Sequence, residues 1–275
     1  MAASLLHPPP GGGQSLVPLR TGGSATPLFC FHGLGGHVAS FMPLARGLAE
    51  GRPVYGLQAQ GLGADQRPHD RIETMADFYL QEIRGVQSHG PYLLAGWSMG
   101  GLIALAAAQR LNAAGEEVAL VAMLDTYLSA DDFPAEDVDD HSVIHWLAPH
   151  LNLPLAELKK LPLDQQWERI AEQAKLGEGI GAAEIRRLAE VCKAHLVAFS
   201  NHRPQPYQGR VVLFQTGGGD GLDPDWKSLC PRLSLETVPG NHYNMLRKPH
   251  VEVLAERLNR YLGENAVGEG TIGNP

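Results

Sequence analysis

The sequence predicts an α/β fold in which a mostly parallel sheet is flanked by helices on both faces. Short apolar runs recur along the chain without polar alternation, as is typical of parallel strands covered on both faces. Helical patterns separate these runs, and this alternation implies βαβ units with right-handed crossovers. With 275 residues, of which 44% are hydrophobic and 19% charged, the chain is long enough for one domain with a sizeable core.

The individual elements follow from apolar spacing. Six runs are predicted as strands, namely Leu28–Phe31, Val54–Leu57, Tyr92–Ala95, Val118–Leu124, Val211–Phe214 and Leu233–Val238. A helix is predicted after Asp70-Arg71-Ile72-Glu73, which resembles a capping box followed by apolar residues at helical spacing. Further helices are predicted over the alanine-rich segment Met99–Leu111 and in a last segment that begins after Pro249.

The domain organisation is interrupted by one long segment. Residues 1–24 contain a Pro- and Gly-rich run and little apolar periodicity, so we expect a linker or tail there. The folded domain is expected over residues 25–265, followed by a tail at 266–275. Within the domain, residues 130–204 carry only helical patterns and an acidic cluster. A helical lid insertion is the favoured interpretation, with a longer crossover and a solvated acidic face as the alternative.

Charge and cysteine content narrow the class of protein. The net charge of −8 and the lack of a basic cluster argue against nucleic acid or an anionic membrane as a partner. The longest uncharged run, residues 91–108, approaches the length of a membrane-spanning helix. It contains three glycines and divides into a strand, a turn and a helix, so a membrane-spanning segment is not predicted. The N-terminus does not have the pattern of a signal peptide. Cys30, Cys192 and Cys230 are scattered, so we expect reduced thiols in a cytoplasmic protein, which we expect to be monomeric.

A candidate nucleophile lies in Gly96-Trp97-Ser98-Met99-Gly100. A Gly-x-Ser-x-Gly pattern is a weak signal on its own, but here a predicted strand precedes it and a predicted helix follows it. This context is that of a sharp turn that exposes a serine hydroxyl at the carboxyl end of a strand. The alternative is that Ser98 only caps the helix.

A serine nucleophile needs a base, and His242 is the favoured candidate. It follows the last predicted strand and precedes the last helix, so its loop returns to the carboxyl edge of the sheet. The other histidines late enough in the chain are His195, His202 and His250, with His150 less favoured. His195 falls within a helical stripe, which is typical of a packed or surface histidine.

Spacing alone does not show which of two aspartates would orient this base. Asp125 ends the strand Val118–Leu124, and Asp220 follows a glycine run after the next strand. Both positions lie at the carboxyl edge of the predicted sheet. Asp125 could instead cap the first element of the insertion, and Asp220 could be a solvated residue in a turn.

The sequence also indicates an oxyanion hole. The loop Phe31–Gly36 follows the first strong strand, and we predict that the backbone amides of Met99 and Leu34 bind the oxyanion, with Gly33 as the alternative to Leu34. We expect His32 to be a structural hydrogen-bonding residue rather than a second base. No metal site is expected, because the pair His141-x-x-x-His145 lacks the glutamate of a zinc-protease helix.

With these residues in place, the chain resembles the type I thioesterase domains of nonribosomal peptide synthetases and hybrid polyketide synthases, which have the α/β-hydrolase fold. The resemblance covers roughly residues 16–262. It is carried by the segments 28–36, 54–61, 90–101, 124–126, 204–209 and 240–243. One departure is Gly33, where the family often has proline.

The resemblance implies that Asp125 is the acid, with Asp220 kept in reserve. It also implies a peptidyl or acyl chain carried on the phosphopantetheine of a carrier domain, released by hydrolysis or macrocyclisation, without a bound cofactor. A stand-alone editing (type II) thioesterase, an esterase acting on free esters and a non-catalytic binding module remain as rivals. Arg186, Arg187 and Lys193 are candidates for docking the carrier, with a solvated helix face as the alternative.

Overall fold

A seven-stranded sheet forms the centre of the computed structural model, which describes residues 15–63, 65–128, 138–150, 153–174, 182–217 and 224–263. The strands are β1 (Leu16–Arg20), β2 (Leu28–Phe31), β3 (Val54–Leu57), β4 (Tyr92–Trp97), β5 (Val118–Leu124), β6 (Val211–Thr216) and β7 (Leu233–Val238). Their order is β1-β3-β2-β4-β5-β6-β7. All neighbouring pairs are parallel except β1 and β3, so the predicted mostly parallel sheet is confirmed.

Helices connect the strands. They are α1 (Met42–Gly47), α2 (Ile72–Val86), α3 (Met99–Ala113), α4 (Asp140–His150), α5 (Leu155–Leu158), α6 (Leu163–Ala174), α7 (Ala182–Asn201), α8 (Pro224–Leu229) and α9 (His250–Gly263), and a short 3₁₀ turn covers Ala39–Phe41. The predicted helices correspond to α2, α3 and α9. No helix among the described residues has the length and apolar character needed to cross a membrane.

Each face of the sheet has its own apolar core. Along β2, Phe29 and Phe31 belong to the core formed with α2 and α3, whereas Leu28 and Cys30 belong to the core formed with α1 and α9. Successive side chains of a strand point to opposite faces, so a strand covered on both sides must be apolar at every position. All four of these residues are fully buried. This explains why the central strands read as continuous apolar runs.

Two local predictions are corrected by the structure. Residues 1–24 were expected to be a linker or tail, but Leu16–Arg20 forms β1 at the edge of the sheet. As an antiparallel edge strand it is only partly buried and includes a proline, so it lacks the apolar run of an interior strand. The capping box is also wrong, because the N-cap of α2 is Arg71 without a side-chain cap bond, and Glu73 instead binds His202.

The insertion between β5 and β6 is helical, as predicted. Its helices α4, α6 and α7 pack on one another, and their apolar residues join the core that also contains α2 and α3. Most of the acidic cluster falls in residues 131–137, which lie outside the described residues. The predicted tail at 266–275 and the candidate acid Asp220 lie outside them as well.

Candidate active site

Ser98 lies in the tight turn between β4 and α3. Its backbone has φ 57° and ψ −128°, a conformation that is strained for a residue with a side chain. The Ser98 N–H donates to the Leu124 carbonyl at 2.9 Å, and the Ser98 carbonyl accepts from the Gly101 N–H at 3.0 Å. No hydrogen bond joins the Ser98 side chain to the helix that follows, so the alternative interpretation as a helix cap does not hold.

Two of the glycines in the motif are required by close backbone packing. A Cβ atom on Gly96 would collide with the backbone of Gly100, the second residue of α3. A Cβ atom on Gly100 would collide with the carbonyl groups of Phe31 and His32 at the end of β2. Glycine at these positions therefore lets the serine turn lie directly against the neighbouring loop.

His242 joins the serine to a carboxylate. Its Nε2 lies 3.1 Å from the Ser98 Oγ, and its Nδ1 lies 2.9 Å from Oδ2 of Asp125. The three side chains come from the ends of β4, β5 and β7, and all three are buried. The structure thus brings together the serine, the histidine and one of the two aspartates that the sequence singled out.

Asp125 is held by β6 as well as by its own strand. Its N–H donates to the Phe214 carbonyl at 2.7 Å, and its Oδ1 accepts from the Thr216 N–H at 2.8 Å. The Thr216 hydroxyl and the Tyr127 hydroxyl also donate to this carboxylate, each at 3.2 Å. Four donors therefore surround a carboxylate that is 2% exposed.

These hydrogen bonds keep the Asp125 carboxylate ionised. Burial raises the pKa of Asp125, but hydrogen bonds from His242 and Thr216 outweigh it, so the net pKa lies below the usual value. An ionised carboxylate can only accept a hydrogen bond, so the Nδ1 of His242 must carry the hydrogen. Nε2 is then free to accept the proton of the Ser98 hydroxyl.

Two residues beside the serine have backbone amides without an acceptor in the described part of the chain. They are Met99, the first residue of α3, and Leu34 in the loop after β2. Both residues line the cavity that contains the Ser98 side chain. Gly33 does not line it, and a Cβ atom added to Gly33 would meet the ring of Trp97. The arrangement fits the predicted oxyanion donors and favours Leu34 over Gly33.

The cavity above the serine is small and mostly apolar. Its volume is about 80 Å³. It is lined by Leu34, Ser98, Met99, Tyr127, Leu196, Phe199, His242 and Tyr243. Leu196 and Phe199 belong to α7, so the helical insertion contributes one wall of the site. An apolar cavity of this kind suits an uncharged group next to Ser98.

Sequence reasoning missed several supporting residues. Tyr127 donates to Asp125, and its ring lies beside that of His242 with the centroids 5.5 Å apart and the planes tilted by 45°, although half of its surface is exposed. Trp97 donates from Nε1 to the His242 carbonyl at 3.1 Å. Thr216 binds Asp125 through its backbone N–H and its hydroxyl. Only the nearness of Tyr127 to Asp125 and of Trp97 to Ser98 along the chain could have suggested them.

Two of the other candidate histidines, His195 and His202, have structural partners, whereas the side chain of His150 lies outside the described part of the structure. His195 is buried and binds the carbonyl of Leu34, and His202 binds Glu73 at 2.8 Å. His32 is also fully buried and binds the hydroxyl of Tyr79 at 2.7 Å, in agreement with the expected structural role. Within the described ranges, no group of three or more His, Cys, Asp or Glu residues could hold a metal ion.

Of the three candidate cations for docking a carrier, two form ion pairs within the insertion. Arg187 forms an ion pair with Glu184 at 2.7 Å, and Lys193 forms one with Asp140 at 3.0 Å. Arg186 is exposed. Two of the three cations are thus paired with acids of the insertion itself, which favours the solvated helix face over a basic docking patch. The three cysteines are buried free thiols, as expected.

Comparison with known proteins identifies the relatives of the chain. The family model "Thioesterase domain" matches residues 26–262. A dimodular nonribosomal peptide synthase of Bacillus subtilis (strain 168) is 32% identical over 219 residues, which cover 77% of this chain and 9% of that protein. Microperfuranone synthase of Emericella nidulans is 43% identical over 273 residues, which cover 89% of this chain and 29% of that protein.

Solved structures agree with the sequence relatives. A four-domain nonribosomal peptide synthetase, solved with AMP and glycine, superposes with a TM-score of 0.79 at 27% identity over 90% of this chain and 20% of that chain. The α/β-hydrolase fold predicted from the sequence is thereby confirmed. The chain spans less than a third of each of these three proteins. Because the family match covers most of its length, the chain belongs to the thioesterase domain family.

Proposed function

We propose that this chain releases a peptidyl or acyl group from the phosphopantetheine thiol of a carrier domain through an acyl-Ser98 intermediate. The observation that carries the proposal is the continuous hydrogen-bonded chain from Ser98 through His242 to Asp125 beneath an apolar cavity. Membership of the thioesterase family supports a thioester as the bond that is attacked. In the relatives, the matching segment is part of a much longer synthetase.

In the first half of the reaction, the serine takes the acyl group. Nε2 of His242 accepts the hydroxyl proton while the Ser98 Oγ bonds to the thioester carbonyl carbon. The amides of Leu34 and Met99 donate to the oxyanion that forms, and α3 directs the positive end of its dipole towards it. The carbon–sulfur bond then breaks, and His242 returns the proton to the departing thiol.

In the second half, a nucleophile removes the acyl group from the serine. His242 accepts a proton from water, or from an amine or hydroxyl of the bound chain, as that group attacks the ester carbonyl. Collapse of the second oxyanion gives the proton back to Oγ of Ser98. Water as nucleophile yields the free acid, whereas a nucleophile of the chain itself yields a ring. No bound cofactor is needed for either half of this reaction.

Replacing the nucleophile tests the proposal. We expect Ser98→Ala to lower kcat by roughly 10⁴- to 10⁶-fold, because the covalent route is lost. The measurement is mass spectrometry of the protein and of the released product, using an acyl-phosphopantetheine carrier as substrate. Ser234→Ala changes an exposed serine on β7 and serves as the matched control. Full activity in Ser98→Ala, or wild type without an acyl adduct, would contradict the proposal.

The rivals are separated by the choice of substrate. A simple ester carrying the same acyl group tests for an esterase, and a short misloaded acyl carrier tests for an editing enzyme. We expect kcat/KM to be highest for the carrier-bound peptidyl or longer acyl thioester. Equal turnover of the simple ester would favour the esterase, and preference for short acyl carriers would favour the editing enzyme.

A further inference from the structure

Two buried histidines lie face to face behind the oxyanion loop, which we define as residues 33–36. His32 lies directly after β2 and directly before this loop, and His195 belongs to α7 of the insertion. Their ring centroids are 4.9 Å apart, and the ring planes differ by 13°. Neither side chain takes part in the hydrogen-bonded chain from Ser98 to Asp125. A stacked pair of titratable groups in the core therefore needs another explanation.

Each of these histidines binds a backbone carbonyl of the oxyanion loop. The Nδ1 of His32 lies 2.8 Å from the carbonyl oxygen of Gly33, and the Nδ1 of His195 lies 2.6 Å from that of Leu34. A carbonyl oxygen can only accept, so each Nδ1 carries the hydrogen and donates. Two consecutive peptide groups are thus held by two stacked imidazoles.

These two peptide groups are the ones that define the direction of the Leu34 amide. The Gly33 carbonyl and the Leu34 N–H belong to the same planar trans peptide, so they point in opposite directions. The carbonyl of Leu34 belongs to the next peptide. Holding both carbonyls on the side of the histidines fixes both planes flanking the Leu34 Cα. The Leu34 N–H therefore points away from the histidines, and Leu34 itself lines the cavity that contains Ser98.

Burial keeps both imidazoles neutral. It lowers the pKa of His195 to about 4, against a smaller opposing effect of its bond to Leu34, and it lowers the pKa of His32 well below its usual value. A neutral His32 with hydrogen on Nδ1 must accept at Nε2, where the Tyr79 hydroxyl lies at 2.7 Å. The donors to the loop are therefore fixed at neutral pH.

We propose that His195 is a positioning residue through which helix α7 of the insertion sets the oxyanion loop. The inference rests on the proposed function, since it assigns a purpose to the Leu34 amide. The same helix presents Leu196 and Phe199 to the cavity. Helix α7 thus lines the space for the acyl group and also positions the Leu34 amide, which would stabilise the transition state. It therefore links binding of the acyl group to the geometry of the oxyanion donor.

Two substitutions separate the hydrogen bond from the packing. His195→Phe keeps a ring that can stack on His32 but removes the donor, so the Leu34 carbonyl loses its partner. His195→Asn loses the ring, but its Nδ2 occupies nearly the place of Nδ1 and can donate. We expect His195→Phe to lower kcat about 10- to 100-fold with KM changed less than twofold, because the interaction acts in the transition state. We expect His195→Asn to recover most of this loss.

The matched control is His202→Phe. His202 is buried close to the end of α7, but its partner is Glu73 of α2, away from the serine. This variant should lower thermal stability without changing kcat of the folded fraction, which circular dichroism quantifies. Wild-type kcat in His195→Phe, a loss of kcat in His202→Phe equal to that in His195→Phe, or no recovery in His195→Asn would each overturn the proposal.

The rate at which a fluorophosphonate labels Ser98 separates failure of this inference from failure of the proposed function. Labelling needs the serine, its base and the oxyanion donors, but no carrier domain. We expect His195→Phe to slow labelling about 10-fold or more and His195→Asn to restore it. Slower labelling in a protein that does not turn over carrier-bound thioesters would support the role of His195 and contradict the proposed substrate. Unchanged labelling would overturn the role of His195.

Discussion

The sheet and the helical insertion contribute to the site in different ways. The sheet holds the reacting groups through backbone hydrogen bonds, as when the Ser98 N–H binds the Leu124 carbonyl and the Asp125 N–H binds the Phe214 carbonyl. The insertion reaches the site through the side chains of α7. Backbone bonds are independent of side-chain identity, whereas a side-chain wall changes with every substitution. The sheet therefore holds the chain from Ser98 to Asp125. Under the proposed function, the cavity wall supplied by Leu196 and Phe199 is the part that can change which acyl group is accepted.

The largest expected effect concerns the acid held by the sheet. We expect Asp125→Asn to lower kcat about 10⁴-fold, because an amide cannot hold His242 in the required tautomer. The measurement is single-turnover release from an acyl carrier, with circular dichroism to verify folding. Asp220→Asn is the comparison, since Asp220 is the other aspartate that the sequence offers. A greater loss of kcat in Asp220→Asn than in Asp125→Asn would contradict the assignment of the acid.

An intermediate effect is expected in the wall supplied by the insertion. Phe199→Ala should enlarge the cavity, raising KM for a short acyl group about 10-fold while kcat changes less than twofold. Bulkier acyl groups should gain relative to short ones. Steady-state kinetics over a series of acyl-pantetheine chain lengths measures this change in selectivity.

The control for this wall is Phe78→Ala. Phe78 is also a half-buried phenylalanine, but it lies on α2 and does not line the cavity. Its replacement should reduce stability and leave the order of chain-length preference unchanged. If Phe199→Ala lowers kcat equally for all acyl groups, the assignment of this wall to acyl selectivity is wrong.

The smallest expected effect concerns stability in acid. The pKa of Asp125 lies below its ordinary value of 3.8 in the folded protein, so its contribution to stability is fully present above that pH. It is lost as the pH falls through the lower folded pKa. We therefore expect wild type to lose stability more steeply than Asp125→Asn on going from about pH 6 to about pH 3. Urea unfolding midpoints at both pH values measure the difference.

An exposed aspartate provides the comparison for the acid titration. Asp65→Asn removes the carboxylate of an exposed residue in a surface loop. Its unfolding midpoints should follow those of wild type at both pH values. Parallel curves for wild type and Asp125→Asn would show that the buried carboxylate is not responsible for the acid sensitivity.

The local sequence pattern was sufficient to predict the interior strands of the sheet. The run at β2 is apolar at every position because both faces are covered, and this pattern needs no knowledge of the neighbours. The serine turn was predictable for a similar reason, since the glycines that permit it lie within a few residues of Ser98. The edge strand β1 was missed because its partial burial leaves no such pattern.

Groups that act across the chain could not be predicted from local pattern. Spacing alone left Asp125 and Asp220 open, because both follow strands that end at the same edge of the sheet. The Thr216 amide that binds Asp125 is 91 residues away along the chain. The sequence predicted His195 to be a packed residue of a helical stripe. Its partner, the carbonyl of Leu34, is 161 residues away along the chain, and only the fold brings the two together.

Trp97 gives the serine turn a wider role than its position in the motif suggests. It occupies a variable place in the Gly-x-Ser-x-Gly pattern, yet its indole binds the loop of His242 and covers Gly33. A change at this single position would disturb two distant loops at once. We therefore expect substitutions at residue 97 to be accompanied by substitutions around residues 33 and 242. The three segments should covary among related sequences.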